Sequence, residues 1–375
     1  MTVLILCTYE NTYVTQTYKF LKKYYPNLQI SLFTKTHAIE YYKNDVALCD
    51  DEHIFSFGDH DYLCLIEARK LPHFDIIHSL WMEHFWGEAA HTLRSKCNAW
   101  LCSVGGSDLY RDSSKLFYRL FQKRIIRYAS GFSSENTDTK NLFEKKYGDI
   151  ADNKPHNIIP FGIDILEEFG RIDYSKISSI KAKYNIPDGK VVVMMGTNAR
   201  TQQQHYKLLD SINKLDSKYR EKICLLVPLT YSGTQDYIDA VISAVSKSDI
   251  ESSILTRFMS AYEMAEIATC TDILIHVQTT DQLSSAMLAN MYCGTVVIAG
   301  SWLPYQDLID KGIKFLQVDS INEVTNRLAS TIDELDSKKR EYTSNKEIIL
   351  NMSTWKISSK KWNDAYFEII DEKNK

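Results

Sequence analysis

Four stretches of this chain combine residue types that hold sugars or phosphates with a spacing that sets them between a strand and a helix. The longest starts at the apolar run Asp272–His276, crosses a polar loop containing Asp281 and Gln282, and enters a helical segment at Ser284 and Ser285. That segment closes on Gly294 before Val296 and Val297. The first turn of a helix has N–H groups without partners and the positive end of the dipole, which suits a phosphate. Asp281 precedes that turn, where a carboxylate either accepts from a sugar hydroxyl or simply caps the helix. The second stretch runs from Gly196 through Asn198 and Arg200 to His205 and Lys207, after the strand-like Val191–Met195. Such a turn can offer backbone N–H groups and the Arg200 guanidinium to a diphosphate. Without the Gly-x-Gly-x-x-Gly spacing, it gives little support to a dehydrogenase. His205, taken alone, also suits an ordinary buried helix position.

The third stretch, Ser103-Val104-Gly105-Gly106-Ser107-Asp108, permits close backbone approach to a ligand, and Asp108 can accept from hydroxyls. A helix cap at Ser107 or Asp108 explains it equally simply. The fourth, Ile159–Asp164, is by itself a turn. Between them, His78 and His84 bracket Trp81 in an aromatic-rich segment. It suits an acceptor subsite, and Trp81 and Phe85 equally suit a core.

The elements that must position these residues follow from hydrophobic patterning. Apolar runs near residues 3–7, 29–33, 75–78, 99–103, 131–134 and 157–160 alternate with helical segments. The pattern restarts after Pro187-Asp188-Gly189 with runs near 191–195, 223–227, 272–276, 295–299 and 312–318. Alternation of this kind implies mainly parallel sheets with helices on both faces. The expected architecture is α/β, with two Rossmann-like, doubly wound domains: residues 1–163, residues 164–350, and a helix in 351–375 that can cross back to the first domain. Ligands of open α/β sheets bind at the carboxyl ends of the strands. Two such domains facing each other would share one cleft, lined by loops 8–12, 78–86, 105–108, 196–205, 228–233 and 278–285.

Together the four stretches resemble the GT-B glycosyltransferases, in particular the family-4-like group (glycosyl transferases group 1). That group carries a Gly-Ser-Asp-Leu segment, matched by Gly106-Ser107-Asp108-Leu109, and a Gly-Ile-Asp near the hinge, matched by Gly162-Ile163-Asp164. Its signature is Glu-x7-Glu followed by a segment that Met291–Val297 fits. The resemblance implies transfer of a sugar from a nucleotide diphosphate sugar, with retention of configuration and without a metal or other cofactor. This reading places no Asp-x-Asp on a strand-end loop. Aligned on Gly294, Asp281 stands at the first Glu, which in the group contacts the transferred sugar. Ala289 stands at the second, which usually holds the ribose. Gly105 replaces a frequent His, and the usual basic pair becomes Arg200 with Gln203, His205 and Lys207. The implied catalytic residues are Asp281, Asp108 and Arg200. Gly196, Asn198, Arg200, His205, Lys207, Gln282, Ser284 and Ser285 would bind the donor, and His78, His84 and Asp108 would lie on the acceptor side.

The 375 residues carry 44 Lys and Arg against 48 Asp and Glu, and a net charge of -4 does not favour nucleic acid. Eight cysteines without a Cys-x-x-Cys pair read as buried residues of a reducing compartment. No segment has the length or flanks of a signal peptide or membrane span, so the expected location is cytoplasmic, in peripheral contact with the inner face of the membrane at most. Lys115, Arg119, Lys123 and Arg127 recur every fourth residue. They form one basic helical stripe that either meets anionic lipid near a lipid-linked glycan acceptor or is a solvated face of a helix packed on the sheet. The leading expectation is a hexosyl- or related glycosyltransferase for a cell-surface glycan, such as a polysaccharide or lipopolysaccharide, or its lipid-linked precursor. A GT-B nucleotide-sugar epimerase and a catalytically inactive sugar- or nucleotide-binding subunit are the alternatives.

Overall fold

The computed structural model describes residues 1–8, 10–44, 53–110, 115–151 and 153–373. They form two compact units: Met1–Gly162 with the chain from Trp355 onward, and Ile163–Thr354.

The first unit holds a seven-stranded sheet of β1 (Thr2–Leu6), β2 (Gln29–Thr34), β3 (Ile54–Ser56), β4 (Phe74–Ser79), β5 (Cys97–Val104), β6 (Gly131–Ser134) and β7 (His156–Ile158). The order is β3-β2-β1-β4-β5-β6-β7, and every pair is parallel. Strand β1 shows why its continuous apolar run is needed. Leu4 and Leu6 enter one hydrophobic cluster while Val3 and Ile5 enter another, so the strand is buried on both faces. The C-terminal helix Trp355–Lys373 covers the second of these faces with Trp355, Trp362, Tyr366 and Ile369. The Trp355 ring stacks on Phe20 at 5.0 Å. A Cβ on Gly162 would stand 2.4 Å from that indole, so only glycine fits beneath it.

The second unit holds a six-stranded sheet of β8 (Val191–Met195), β9 (Ile223–Pro228), β10 (Ser252–Leu255), β11 (Ile273–His276), β12 (Val296–Gly300) and β13 (Leu316–Val318). Its order, β10-β9-β8-β11-β12-β13, is again wholly parallel. Val192 and Met194 face one cluster, and Val193 and Met195 the other. Each sheet reverses its strand order beside its first strand, between β1 and β4 and between β8 and β11. That reversal opens a crevice at the carboxyl ends of those strands.

The expected α/β, doubly wound architecture is present in both units. Two strands escaped the sequence reading, β3 and β10, and both are edges. Edge strands are half covered, and β10 begins with Ser252-Ser253, so neither shows a long apolar run. Among the described residues the cysteines are all free, and all but the half-buried Cys293 are buried; Cys49 lies outside them. No helix among them is long and apolar enough to cross a membrane.

Candidate functional site

The crevice of the second unit is built by the loops after β8, β9, β11 and β12. Gly196 ends β8 with φ +72, a left-handed conformation that favours glycine. A Cβ there would also stand 2.8 Å from Gln203 Oε1. The turn then tightens: Asn198 Oδ1 accepts from the Arg200 N–H at 2.9 Å, and the Ala199 N–H donates to the Tyr231 carbonyl at 3.1 Å. Two glutamines tie this loop to the one after β11. Gln203 Oε1 accepts from the Thr197 N–H at 3.2 Å, and its Nε2 donates to Gln278 Oε1 at 2.7 Å. Gln204 Nε2 donates to the Val277 carbonyl, and the Thr279 N–H donates to the Gln202 carbonyl. From the β12 loop, Trp302 Nε1 donates to the Gln278 carbonyl at 2.8 Å.

Asp281 sits in this frame. The helix Ser285–Tyr292 is capped by Ser284, whose hydroxyl accepts from the Met287 N–H at 3.2 Å, so capping is not the task of Asp281. Asp281 Oδ2 instead accepts from the Tyr305 hydroxyl and lies 3.2 Å from His276 Nε2. His276 Nε2 is also 2.8 Å from the Tyr305 oxygen, and its ring stacks on Tyr305. Burial alone would raise the Asp281 pKa. The hydrogen bond and charge interaction with His276, the Tyr305 hydroxyl and the Gln282 N–H outweigh it and hold the carboxyl below its ordinary value. Burial and the same carboxylate push the Tyr305 phenol well up, so the proton stays on the phenol and the charge on Asp281. Tyr231 interacts electrostatically with both Arg200 and Asp281 and hydrogen-bonds Asn198, which places all four in one neighbourhood.

Gly196, Asn198, Arg200, Asp281, Gln282 and Ser284 thus meet in one loop cluster. The Arg200 guanidinium is exposed, 3.4 Å from the Ser232 hydroxyl, and Ser285 is half-buried in the first helical turn. His205 is 1% exposed, with Nδ1 3.0 Å from the Tyr237 hydroxyl. Burial lowers its pKa to about 4, so the ring is neutral near pH 7 and brings no charge to a diphosphate. Lys207 lies on the exposed side of the next helix and donates to Gln204 Oε1 at 3.3 Å. Ala289 is buried at 1% and leaves no carboxylate where the resemblance has its second Glu. Gln278, His276 and Tyr305 were not singled out from the sequence as site residues, and Gln203 was named only as a stand-in for the usual basic pair. Their roles depend on contacts across loops, which no local pattern marks.

The acceptor-side expectations fall in the first unit. Asp108 is 4% exposed, and its Oδ2 accepts from the Gly105 N–H at 2.8 Å and the Met82 N–H at 3.2 Å. It therefore braces the loops after β4 and β5 against each other. His78 differs from its expectation. It is fully buried, with Nδ1 2.8 Å from the Tyr366 hydroxyl and Nε2 2.8 Å from the Ser103 hydroxyl. With both ring nitrogens engaged and burial lowering its pKa to about 3, it is a neutral core residue. His84 is partly exposed, with Nε2 3.1 Å from Asp61, which also pairs with Lys35 at 2.8 Å.

Contrary to the sequence expectation, an Asp-x-Asp does lie on a strand-end loop, Asp59-His60-Asp61 after β3. The carboxylate of Asp59 pairs with His37 at 2.7 Å, and that of Asp61 with Lys35 and His84. Both are thus engaged with basic side chains. Among the described residues no group of three or more His, Cys, Asp or Glu is arranged to hold a metal ion.

Two parallel, doubly wound units of this kind define the GT-B fold, and the chain has it. It is similar over 98% of its length to HepE from Anabaena, solved in complex with UDP and glucose (TM-score 0.77, 13% identity, all of that chain covered). It is also similar to a glycosyltransferase from Rickettsia africae (TM-score 0.72, 14% identity, 98% of each chain). A third likeness is to UDP-GlcNAc 2-epimerase from Neisseria meningitidis bound to UDP-GlcNAc (TM-score 0.65, 12% identity, 98% of this chain and 100% of that one). No protein-family model and no curated protein sequence matches the chain.

Proposed function

We propose that this protein is a glycosyltransferase that moves a sugar from a nucleotide diphosphate sugar to a cell-surface glycan or its lipid-linked precursor, with retention of configuration. The observation that carries the reading is the cluster at the β8/β11 strand-order reversal, where Arg200, the Ser284/Ser285 helix start and the clamped Asp281 occupy one crevice. The diphosphate lies between the Gly196–Arg200 turn and that helix start, where Arg200 and backbone N–H groups stabilise the charge that develops on the leaving diphosphate. Asp281 faces the sugar rather than the phosphates, since like charges repel and its carboxylate is already ionised. Such chemistry is electrostatic and asks nothing of a metal. The likeness to HepE, solved with UDP and with UDP-glucose, supports a nucleotide-sugar donor.

The likeness to an epimerase keeps a second reading in view. An epimerase needs proton-moving groups at the sugar. Of the residues that offer themselves, His78 has both nitrogens engaged, Asp108 is bound by two backbone N–H groups and His84 Nε2 lies 3.1 Å from Asp61, which weighs against it. The test is to incubate the protein with UDP-, GDP- and dTDP-sugars and follow thermal shift, donor hydrolysis and epimer formation. A stabilising donor that is slowly hydrolysed supports the transferase. An epimerised donor overturns it, and binding of none favours an inactive binding subunit.

A further inference from the structure

The Leu116–Tyr128 helix of the first unit is amphipathic in an unusual sense: its exposed side changes character along its length. In the first two turns the exposed residues are Leu116, Phe117 and Leu120, at 75%, 55% and 56%, together with the single cation Arg119. In the last two turns the outward residues are cations, with Arg124 and Arg127 exposed and Lys123 beside them. The opposite side is core, where Ile125, Ile126 and Gln122 are fully buried. The alternative in which the helix packs its apolar face on the sheet describes the second half of the helix but not the first. From Lys115 to Tyr128 there are five cations and no acidic residue, in a chain whose net charge is -4.

The mount is rigid. A Cβ on Gly87 would stand 2.5 Å from the Phe121 side chain and 2.6 Å from its carbonyl oxygen, so the helix is seated directly on the His84–Glu88 turn. Gln122 Nε2 donates to the Asp108 carbonyl at 3.0 Å, and the Tyr147 hydroxyl donates to Gln122 Oε1 at 2.5 Å. The apolar tip is therefore held out in place while the rest of the helix is bolted to the Asp108 loop.

We infer that this helix is a membrane-docking element whose first two turns enter the headgroup and acyl boundary of an anionic bilayer. Scattered exposed apolar residues are normal, but three on adjacent turns of one rigid helix form a patch. Interfacial helices bury such a face roughly 5–10 Å deep. From Leu116 to Arg127 the helix rises roughly 16 Å. With its first turns inserted, Lys123, Arg124 and Arg127 lie at headgroup level and the exposed Arg119 extends back to it along its aliphatic stem, so charge complementarity commits the partner to anionic lipid. Binding is independent of turnover, so this inference stands or falls separately from the sugar-transfer reading.

The test is flotation of the full chain with vesicles of phosphatidylcholine alone or with added phosphatidylglycerol, at low and high salt. The wild type should float with the anionic vesicles and hardly with the neutral ones. Lys123→Gln/Arg124→Gln/Arg127→Gln should weaken low-salt binding by about a hundredfold, at roughly 1 kcal/mol per cation. Leu116→Ser/Phe117→Ser/Leu120→Ser removes side chains that are more than half exposed, and although the Phe117 ring also meets Phe121 edge-on at 4.8 Å, its fold, read by circular dichroism, should be unchanged, and it should bind at least about tenfold more weakly. Tryptophan emission from a Phe117→Trp variant should shift to the blue on adding anionic vesicles, which reports insertion directly. The inference is overturned if wild type does not float, if the apolar variant floats as well as wild type, or if the emission of the Phe117→Trp variant does not move. It is also overturned if the patch proves to join two copies, so that the wild type is a dimer and the triple serine variant a monomer.

Discussion

Replacing Tyr305 with Phe isolates the clamp on Asp281. Tyr305 is 1% exposed, stacks on His276 and meets Phe315 edge-on at 6.2 Å, so a phenyl ring fills the same space. Only the hydroxyl goes, and with it the hydrogen bond to Asp281 and the 2.8 Å contact with His276 Nε2. A hydrogen bond to a charged group contributes about 1.5–3 kcal/mol. The Asp281 side chain is 17% exposed, so water recovers part of this and the net loss of stability should be on the order of 1–2 kcal/mol. The folded-state pKa of Asp281 is depressed, so its contribution is present above the ordinary carboxylate pKa and is lost as pH falls through the folded value. Removing a donor raises that pKa, so the acid limb of turnover should move to higher pH in the variant. A carboxylate held only by His276 and the Gln282 N–H is less well aimed at the sugar, and turnover should fall by about tenfold. Asp281→Asn should fall further, by roughly one to a few orders of magnitude. Affinity for the free nucleoside diphosphate should stay nearly constant in both, because it has no sugar. Calorimetric titration gives the affinity, and a nucleotide-release assay gives the rate. Wild-type turnover and an unmoved pH profile in Tyr305→Phe would refute the clamp; wild-type turnover in Asp281→Asn would remove Asp281 from the chemistry.

Arg200→Ala should weaken nucleotide binding by about 1.5–3 kcal/mol, as for a lost charged hydrogen bond, and unchanged affinity in a titration would exclude Arg200 from the diphosphate site. Gly196→Ala meets both a φ of +72 and Gln203 Oε1 at 2.8 Å. It should lower stability by about 1–3 kcal/mol and weaken donor binding, read by thermal melt and titration, whereas a silent Gly196→Ala would show that the β8 turn is not constrained. Acid should destabilise the first unit through His78, whose pKa falls from 6.5 to about 3 because burial disfavours the cation. A depressed pKa gives stability that is whole above 6.5 and lost as pH falls toward 3, amounting to about 2 kcal/mol at pH 5. A His78→Gln variant should therefore lose less stability between pH 7 and pH 5 than wild type in denaturant titrations, and equal slopes would contradict the assignment.

The alternation of strands and helices and the parallel character of both sheets were already written in the residue order. Central strands such as Val3–Leu6 and Val191–Met195 are buried on both faces, and burial on both faces demands an unbroken apolar run that any reader of the chain can see. The strand-to-helix turns at Gly196 and Ser284 were marked as well, because polar residues and glycine follow an apolar run there; which residue caps the second helix was not, since the order of residues offers Asp281 and the structure uses Ser284. The edge strands β3 and β10 were not legible, since a half-covered strand has no such run. What the polar side chains do was settled by packing. His78 and His84 are six residues apart in the same segment, yet one is sealed between Ser103 and Tyr366 while the other is partly exposed and pairs with Asp61. Asp281 and Asp108 looked alike as caps or ligands. One is clamped by a tyrosine 24 residues away, and the other accepts from the N–H of Met82, 26 residues back. The same holds for the Leu116–Tyr128 helix, legible as amphipathic, in which only the packing of Gln122 and Ile125 decides that Leu116, Phe117 and Leu120 turn outward. Periodicity reports which residues share a face; which face meets the core depends on partners distant in sequence, and no local pattern contains them.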